Sequence, residues 1–181
     1  MNVISQQTHT IVIEDIDGLA PVTVFLADLA ENKGKVVIEC GGKGWANTWS
    51  WMHDKTIAQW FAGLPASSIA ANFGDFYRTE IDFSKFADYA NSQAKQLFSH
   101  GKINEEQFDE FADLIESSKE FISEDLGEAW CKMNSDAIEE ILGEPWHEVV
   151  PQKRNKEYSN MITIIKAAQF GVKKCNDEEA A

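Results

Sequence analysis

The sequence is short of the residues that mark secreted, membrane-bound or nucleic-acid-coating proteins. Its cysteines are only three, Cys40, Cys131 and Cys175, odd in number and widely spaced. A disulfide framework is therefore the poorer account and a reduced cytoplasmic chain the better one. No apolar run approaches the roughly 18 to 20 residues that cross a bilayer. The opening MNVISQQTHT has no positive segment followed by an apolar core, so no conventional signal peptide is expected. Basic residues are scarce too: 16 Lys and Arg stand against 30 Asp and Glu, for a formal net charge of −14. Direct nucleic-acid binding through phosphate neutralisation, and adsorption on an anionic membrane, are not expected of such a chain.

Motifs that announce catalysis are missing as well. There is no GxSxG elbow, no HExxH helix and no CxxC pair. The cluster Gly41-Gly42-Lys43-Gly44 lacks the Lys-Ser/Thr ending of a phosphate loop and is not GxGxxG, so it reads as a turn. Cys40, His53, Cys131 and His147 are the right donor types for zinc, but none is paired at the spacing of a zinc knuckle. They read as separate buried cysteines and partly exposed histidines. No catalytic residue, no metal and no cofactor is expected.

What is present is ample core material in 181 residues: 44% hydrophobic, with 6 Trp and 11 Phe. One α+β domain over residues 1–172 with a polar tail at 173–181 accounts for it. IVIEDI (11–16), APVTVFLADL (20–29) and GKVVIEC (34–40) are β-rich runs separated by turn residues. Their connections are too short for crossover helices, which predicts an antiparallel sheet. Trp45, Trp49 and Trp51 follow at even spacings, so an extended segment would turn all three to one face, buried against helices.

Helical periods come next. Asp54 is placed to cap TIAQWFAG, Ser67 or Ser68 to open a second short helix, and Phe83, Phe86, Ala90, Ala94, Leu97 and Phe98 mark a helix over 84–98. Asn104 and Gln107 form a capping box for a helix over 105–122 whose apolar stripe is Phe108, Phe111, Leu114, Ile115 and Ile122. A short helix at 135–142 and a closing one at 156–170 follow, and the sheet is expected to be covered by helices including 84–98, 105–122 and 156–170. The charge is concentrated: residues 75–148 hold 19 acidic and 6 basic groups.

Two stretches together resemble a group of small accessory proteins of tailed phages and prophages of enteric bacteria. The pattern YGxxWxxYWxxM falls on Gly42, Trp45, Trp49 and Met52, and a closing stretch like YLxxIIxAVQ is matched by Tyr158, Ile164, Ile165, Ala168 and Gln169, with Tyr158 two residues ahead of its place in the pattern. Gly41 and Thr48 stand where the group has aromatics. The resemblance implies expression in a host bacterial cytoplasm and a counter-defence or host-regulating role.

The expected function is a non-catalytic protein-binding or inhibitory module acting on a host protein with a basic surface. Glu105, Glu106, Asp109, Glu110, Asp113, Glu116, Glu120 and Glu124 would form the partner-binding face, in its sharpest form an array of carboxylates that mimics DNA. The alternative is a small-ligand or nucleotide-binding protein, or an enzyme, with a pocket around Gly41–Asp54 that uses His53, Asp54 and Cys131.

Overall fold

The computed structural model describes residues 3, 5–119 and 124–179. In chain order the elements are β1 (His9–Ile13), β2 (Val22–Ala30), β3 (Lys33–Cys40), β4 (Lys43–Trp49), α1 (Ile57–Gly63), α2 (Ala66–Phe73) and β5 (Thr79–Ile81). They continue as α3 (Phe83–Ser99), α4 (Glu105–Ser118), α5 (Glu124–Met133), α6 (Ser135–Leu142), α7 (Trp146–Val149), β6 (Gln152–Arg154) and α8 (Lys156–Glu179). This is an α+β fold, with an antiparallel N-terminal sheet and a mostly helical C-terminal part. The chain forms two compact units, one from Met1–Arg78 with Asn155–Ala181 and one from Thr79–Arg154.

In the first unit β1 to β4 form an antiparallel meander in sequence order. The registers Val22↔Cys40, Val24↔Ile38 and Leu26↔Val36, then Ile38↔Trp45, place the apolar positions of successive strands on one face. That face is buried, as the period of two requires. Its cover is α1, α2 and α8. The layer differs from the expected one, because α3 and α4, which stand where helices over 84–98 and 105–122 are expected, centre a separate core of Phe86, Ala90, Phe111 and Ile115 in the second unit. Close approach of the cover is possible only where the strand or helix lacks a side chain. A Cβ on Gly34 would stand 2.6 Å from Ile57 Cβ, and one on Gly171 2.5 Å from Ile13 Cγ1.

Gln169 locks this unit across the whole chain. It is 9% exposed, and its Nε2 donates to the carbonyls of Phe61 at 2.8 Å and Leu64 at 2.7 Å. These are carbonyls that the end of α1 leaves without helical partners. The closing helix runs on to Glu179 rather than ending at 170, because Val172 is fully buried and holds that turn in place.

Two further expectations are corrected. The cap of α1 is Thr56, in a capping box with Gln59, and not Asp54. Asp54 is committed to Asn32 instead: its N–H donates to Asn32 Oδ1 at 2.6 Å and its carboxylate accepts from Asn32 Nδ2 at 3.0 Å. Likewise α2 is preceded by Pro65, with no side-chain cap from Ser67 or Ser68.

In the second unit β5 and β6 pair antiparallel, and Phe86 meets Trp130 and Trp146 edge-on. The predicted Asn104 cap is present: Gln107 N–H donates to Asn104 Oδ1 at 2.8 Å, and Asn104 N–H donates back to Gln107 Oε1 at 3.0 Å. The short helix expected at 135–142 is α6.

Candidate functional site

The acidic face stands on α4. The stripe Phe111 and Ile115 turns inward, so the helical period leaves Glu105, Glu106, Asp109, Glu110, Asp113 and Glu116 exposed. Glu105 and Glu106 also sit in the first turn, where the helix dipole favours negative charge. At the end of this helix Lys119 places its Nζ 2.6 Å from Glu116. The Glu116 hydrogen bond is the main cause of a raised Lys119 pKa. Glu120 lies outside the described residues, as do Ile122 of the expected stripe and the side chain of Glu124. The unit that carries this face holds 18 acidic and 7 basic residues, for a net −11.

Beside the acidic arc is a groove between α4 and α6, with a volume of about 360 Å³. Ile103, Phe111, Leu114 and Ile141 make it apolar, and Glu110 and Glu140 place carboxylates at it. Gln107 ties the two helices, its Nε2 donating to Glu140 Oε1 at 3.2 Å. Carboxylates crowd further along α6. Glu139 is raised above its ordinary value, first by burial and then by the neighbouring Glu144 and Asp136. Periodicity reveals the arc on α4, but the groove depends on α6 arriving beside it, which no local signal announces.

The glycine-tryptophan segment resolves into a turn, a strand and an exposed corner. Gly41 and Gly42 have φ of +57° and +78° and form the two-residue connection of the β3–β4 hairpin, which needs positive φ at both positions. Trp45 and Trp49 pack on the first unit's core, with Trp49 edge-on to Phe73 at 6.3 Å. Trp51 corrects the expectation of a third buried indole. It lies beyond the end of β4, where the period of two no longer applies, and is 71% exposed. Its Nε1 donates to His53 Nδ1 at 3.3 Å.

The candidate donors are dispersed. Cys40 and His53 belong to the first unit, Cys131 and His147 to the second. Among the described residues no group of three or more His, Cys, Asp or Glu is arranged to hold a metal ion. Cys40 is buried with its Sγ 3.5 Å from the Ala20 carbonyl. Cys131 is 2% exposed, and burial, with a smaller contribution from Glu128, pushes its thiol up to about 12. A thiol held so far toward its protonated form is a poor nucleophile. Of the residues expected around the Gly41–Asp54 pocket, His53 and Asp54 are exposed on the corner of the first unit, and Cys131 is a residue of the second.

Among the described residues no helix is long and apolar enough to cross a membrane. No curated protein and no solved structure matches the chain. A family model does match, over residues 1–174: it is Phage_phiTE_072, described as a phage family, and the chain belongs to that family.

Proposed function

We propose that this phage protein acts in the host cytoplasm as a non-catalytic binding module, and that its α4 face docks on a basic surface of a host protein. The observation that carries this reading is the exposed carboxylate arc of Glu105, Glu106, Asp109, Glu110, Asp113 and Glu116 beside an apolar groove, in a unit of net −11. Charge of one sign speeds and orients docking to the opposite sign, and an adjacent apolar groove supplies the burial that charge alone does not. Membership of a phage family supports a host protein as the target.

Affinity capture from host lysate tests the reading with wild type and with the quadruple variant E106K/D109K/E110K/D113K. A protein held by wild type, released by salt and lost by the folded variant is the expected result. Equal retention by that variant would make the arc a solvated surface.

The finer form of the proposal is inhibition by DNA mimicry. Double-stranded DNA carries one charge about every 1.7 Å of axis, and a helix rises about 1.5 Å per residue. The six carboxylates from Glu105 to Glu116 span about 16 Å of helix axis, roughly one charge every 3 Å, near the ~3.4 Å spacing along a single DNA strand. A captured DNA-binding partner should then release DNA in proportion to added protein. Capture without such competition would retain the docking and discard the mimicry.

A further inference from the structure

The first unit carries a hollow of about 330 Å³ where the start of β4 meets α8. That volume is within the range of about 300 to 1,000 Å³ typical of small-molecule sites. Its construction follows from two periodicities. Glu157, Asn160, Met161 and Ile164 line it from α8, at the i, i+3, i+4 and i+7 positions that share one helix face. Lys43 and Trp45 line it from β4, two apart and so on the same face of the strand. Cys40, Met161 and Ile164 are buried and form an apolar floor. Trp45 and Phe76, both half-buried, are its aromatic walls. Around this apolar interior stand three exposed polar side chains, Lys43, Glu157 and Asn160. None of the three has a hydrogen bond or ion pair from its side chain among the described residues.

We propose that this hollow binds a free aromatic α-amino acid, with its ring against Trp45 and Phe76, its carboxylate at Lys43 and its ammonium at Glu157. Asn160 can donate to the first or accept from the second. Charge selects this class over its rivals. A nucleotide would bring two or more negative charges beside a single lysine, with Glu157 at the same hollow and Glu39 lining an adjoining depression that also includes Lys43. An uncharged apolar molecule would leave Lys43 and Glu157 unused. A neutral molecule with one charge of each sign and an aromatic body uses every group present. The site is independent of the α4 face, so neither proposal depends on the other.

Isothermal titration of the full chain with L-phenylalanine tests the site, with 3-phenylpropionate, phenethylamine and AMP as comparison ligands. Dissociation constants near or below about 1 mM are measurable in this way. L-Phenylalanine is expected to bind, and each analogue lacking one charge to bind at least about tenfold more weakly, the loss of one charge-assisted hydrogen bond. Lys43→Gln and Glu157→Gln are exposed changes that should keep the circular dichroism spectrum and weaken L-phenylalanine by a similar factor. Glu157→Gln should leave 3-phenylpropionate binding undiminished or stronger, because for that anion it removes only a like charge, a selectivity that general destabilisation would not produce. Failure of the folded wild type to bind L-phenylalanine overturns the proposal. Equal binding by the single-charge analogues also overturns it, as does AMP binding tighter than that of L-phenylalanine.

Discussion

The unit built from Met1–Arg78 and Asn155–Ala181 carries 12 acidic and 9 basic side chains, whereas Thr79–Arg154 carries 18 and 7. Their construction differs as much as their charge. In the first, a meander of neighbouring strands is closed by α8 from the far end of the sequence, with Gln169 reaching Phe61 and with Gly34 and Gly171 admitting close packing. In the second, consecutive helices, among them α4 with its capping box, surround a smaller core. Long-range closure makes the first unit sensitive to single interior changes. The second keeps its interior modest and presents charge outward.

The largest effect should come from the interior of the first unit. Phe61 is fully buried where α1 meets the core, and Phe61→Ala should cost about 3 to 5 kcal/mol, much of the stability of a small unit. Urea unfolding followed by tryptophan fluorescence measures it. A loss under about 1 kcal/mol would break the contrast, because it would mean that this interior collapses freely around a cavity.

Next is the lock. Gln169→Leu removes both donors and leaves the Phe61 and Leu64 carbonyls unsatisfied beside an apolar side chain, at a cost of about 1 to 3 kcal/mol. If Gln169→Glu restores stability only as pH falls, the amide donors are what matter, since a protonated carboxyl regains one donor. An effect of Gln169→Leu near zero would reduce Gln169 to packing.

How far these features can be read from the sequence depends on the distance between the partners. The hairpins are legible because β-branched runs and the Gly41-Gly42 turn are local signals, and so is the Asn104 and Gln107 capping box. Asp54 misleads because it satisfies the pattern of a helix cap, while its actual partner is Asn32, which lies in another turn. Gln169 stands in the sequence only as the end of the YLxxIIxAVQ-like stretch, and nothing near it reveals the carbonyls of α1. The three-residue strands Thr79–Ile81 and Gln152–Arg154 have too little sequence to show a period. Of the candidate site, the α4 carboxylates are legible and the groove against α6 is not.

Acid should act on the second unit through Asp82. This carboxylate is 7% exposed at the start of α3, accepts from Ser84 Oγ at 2.5 Å and lies 3.3 Å from Lys85 Nζ. The Ser84 hydrogen bond, aided by Lys85 and Lys153 and opposed by burial, holds its pKa below the ordinary value. A lowered folded-state pKa means that the contribution is fully present above the unfolded value of about 3.9 and is lost as pH falls through the folded one. Asp82→Asn keeps an acceptor for Ser84 and removes the charge. Its urea midpoint should lie below that of wild type at neutral pH and converge with it in acid. A constant gap at all pH values would show that the charge is immaterial. Glu139, shifted the other way, should show the opposite sign: Glu139→Gln stabilises at neutral pH, and the advantage shrinks as pH falls through the raised value.

The smallest expected effect tests the edge of the first unit. Trp49 and Trp51 are two residues apart, and an extended chain would bury them alike, but β4 ends at Trp49. Trp49 stays half-buried against Phe73, while Trp51 is 71% exposed, with His53 as its ring neighbour and hydrogen-bond acceptor. The chain turns immediately afterwards, with His53 and Asp54 at φ of +50° and +59°, and that turn is held by Asn32 rather than by the indole. Trp51→Ala should therefore change stability by no more than about 0.5 kcal/mol. Trp49→Ala, which strips a half-buried ring from the core, should cost roughly half the 3 to 5 kcal/mol of a full Trp-to-Ala truncation. Parallel urea titrations of the two variants compare them directly. If Trp51→Ala lowers the midpoint as far as Trp49→Ala, the strand period extends past residue 49 and the exposed corner is wrong. If only Trp49→Ala does so, the sheet's inward-facing side stops with the strand.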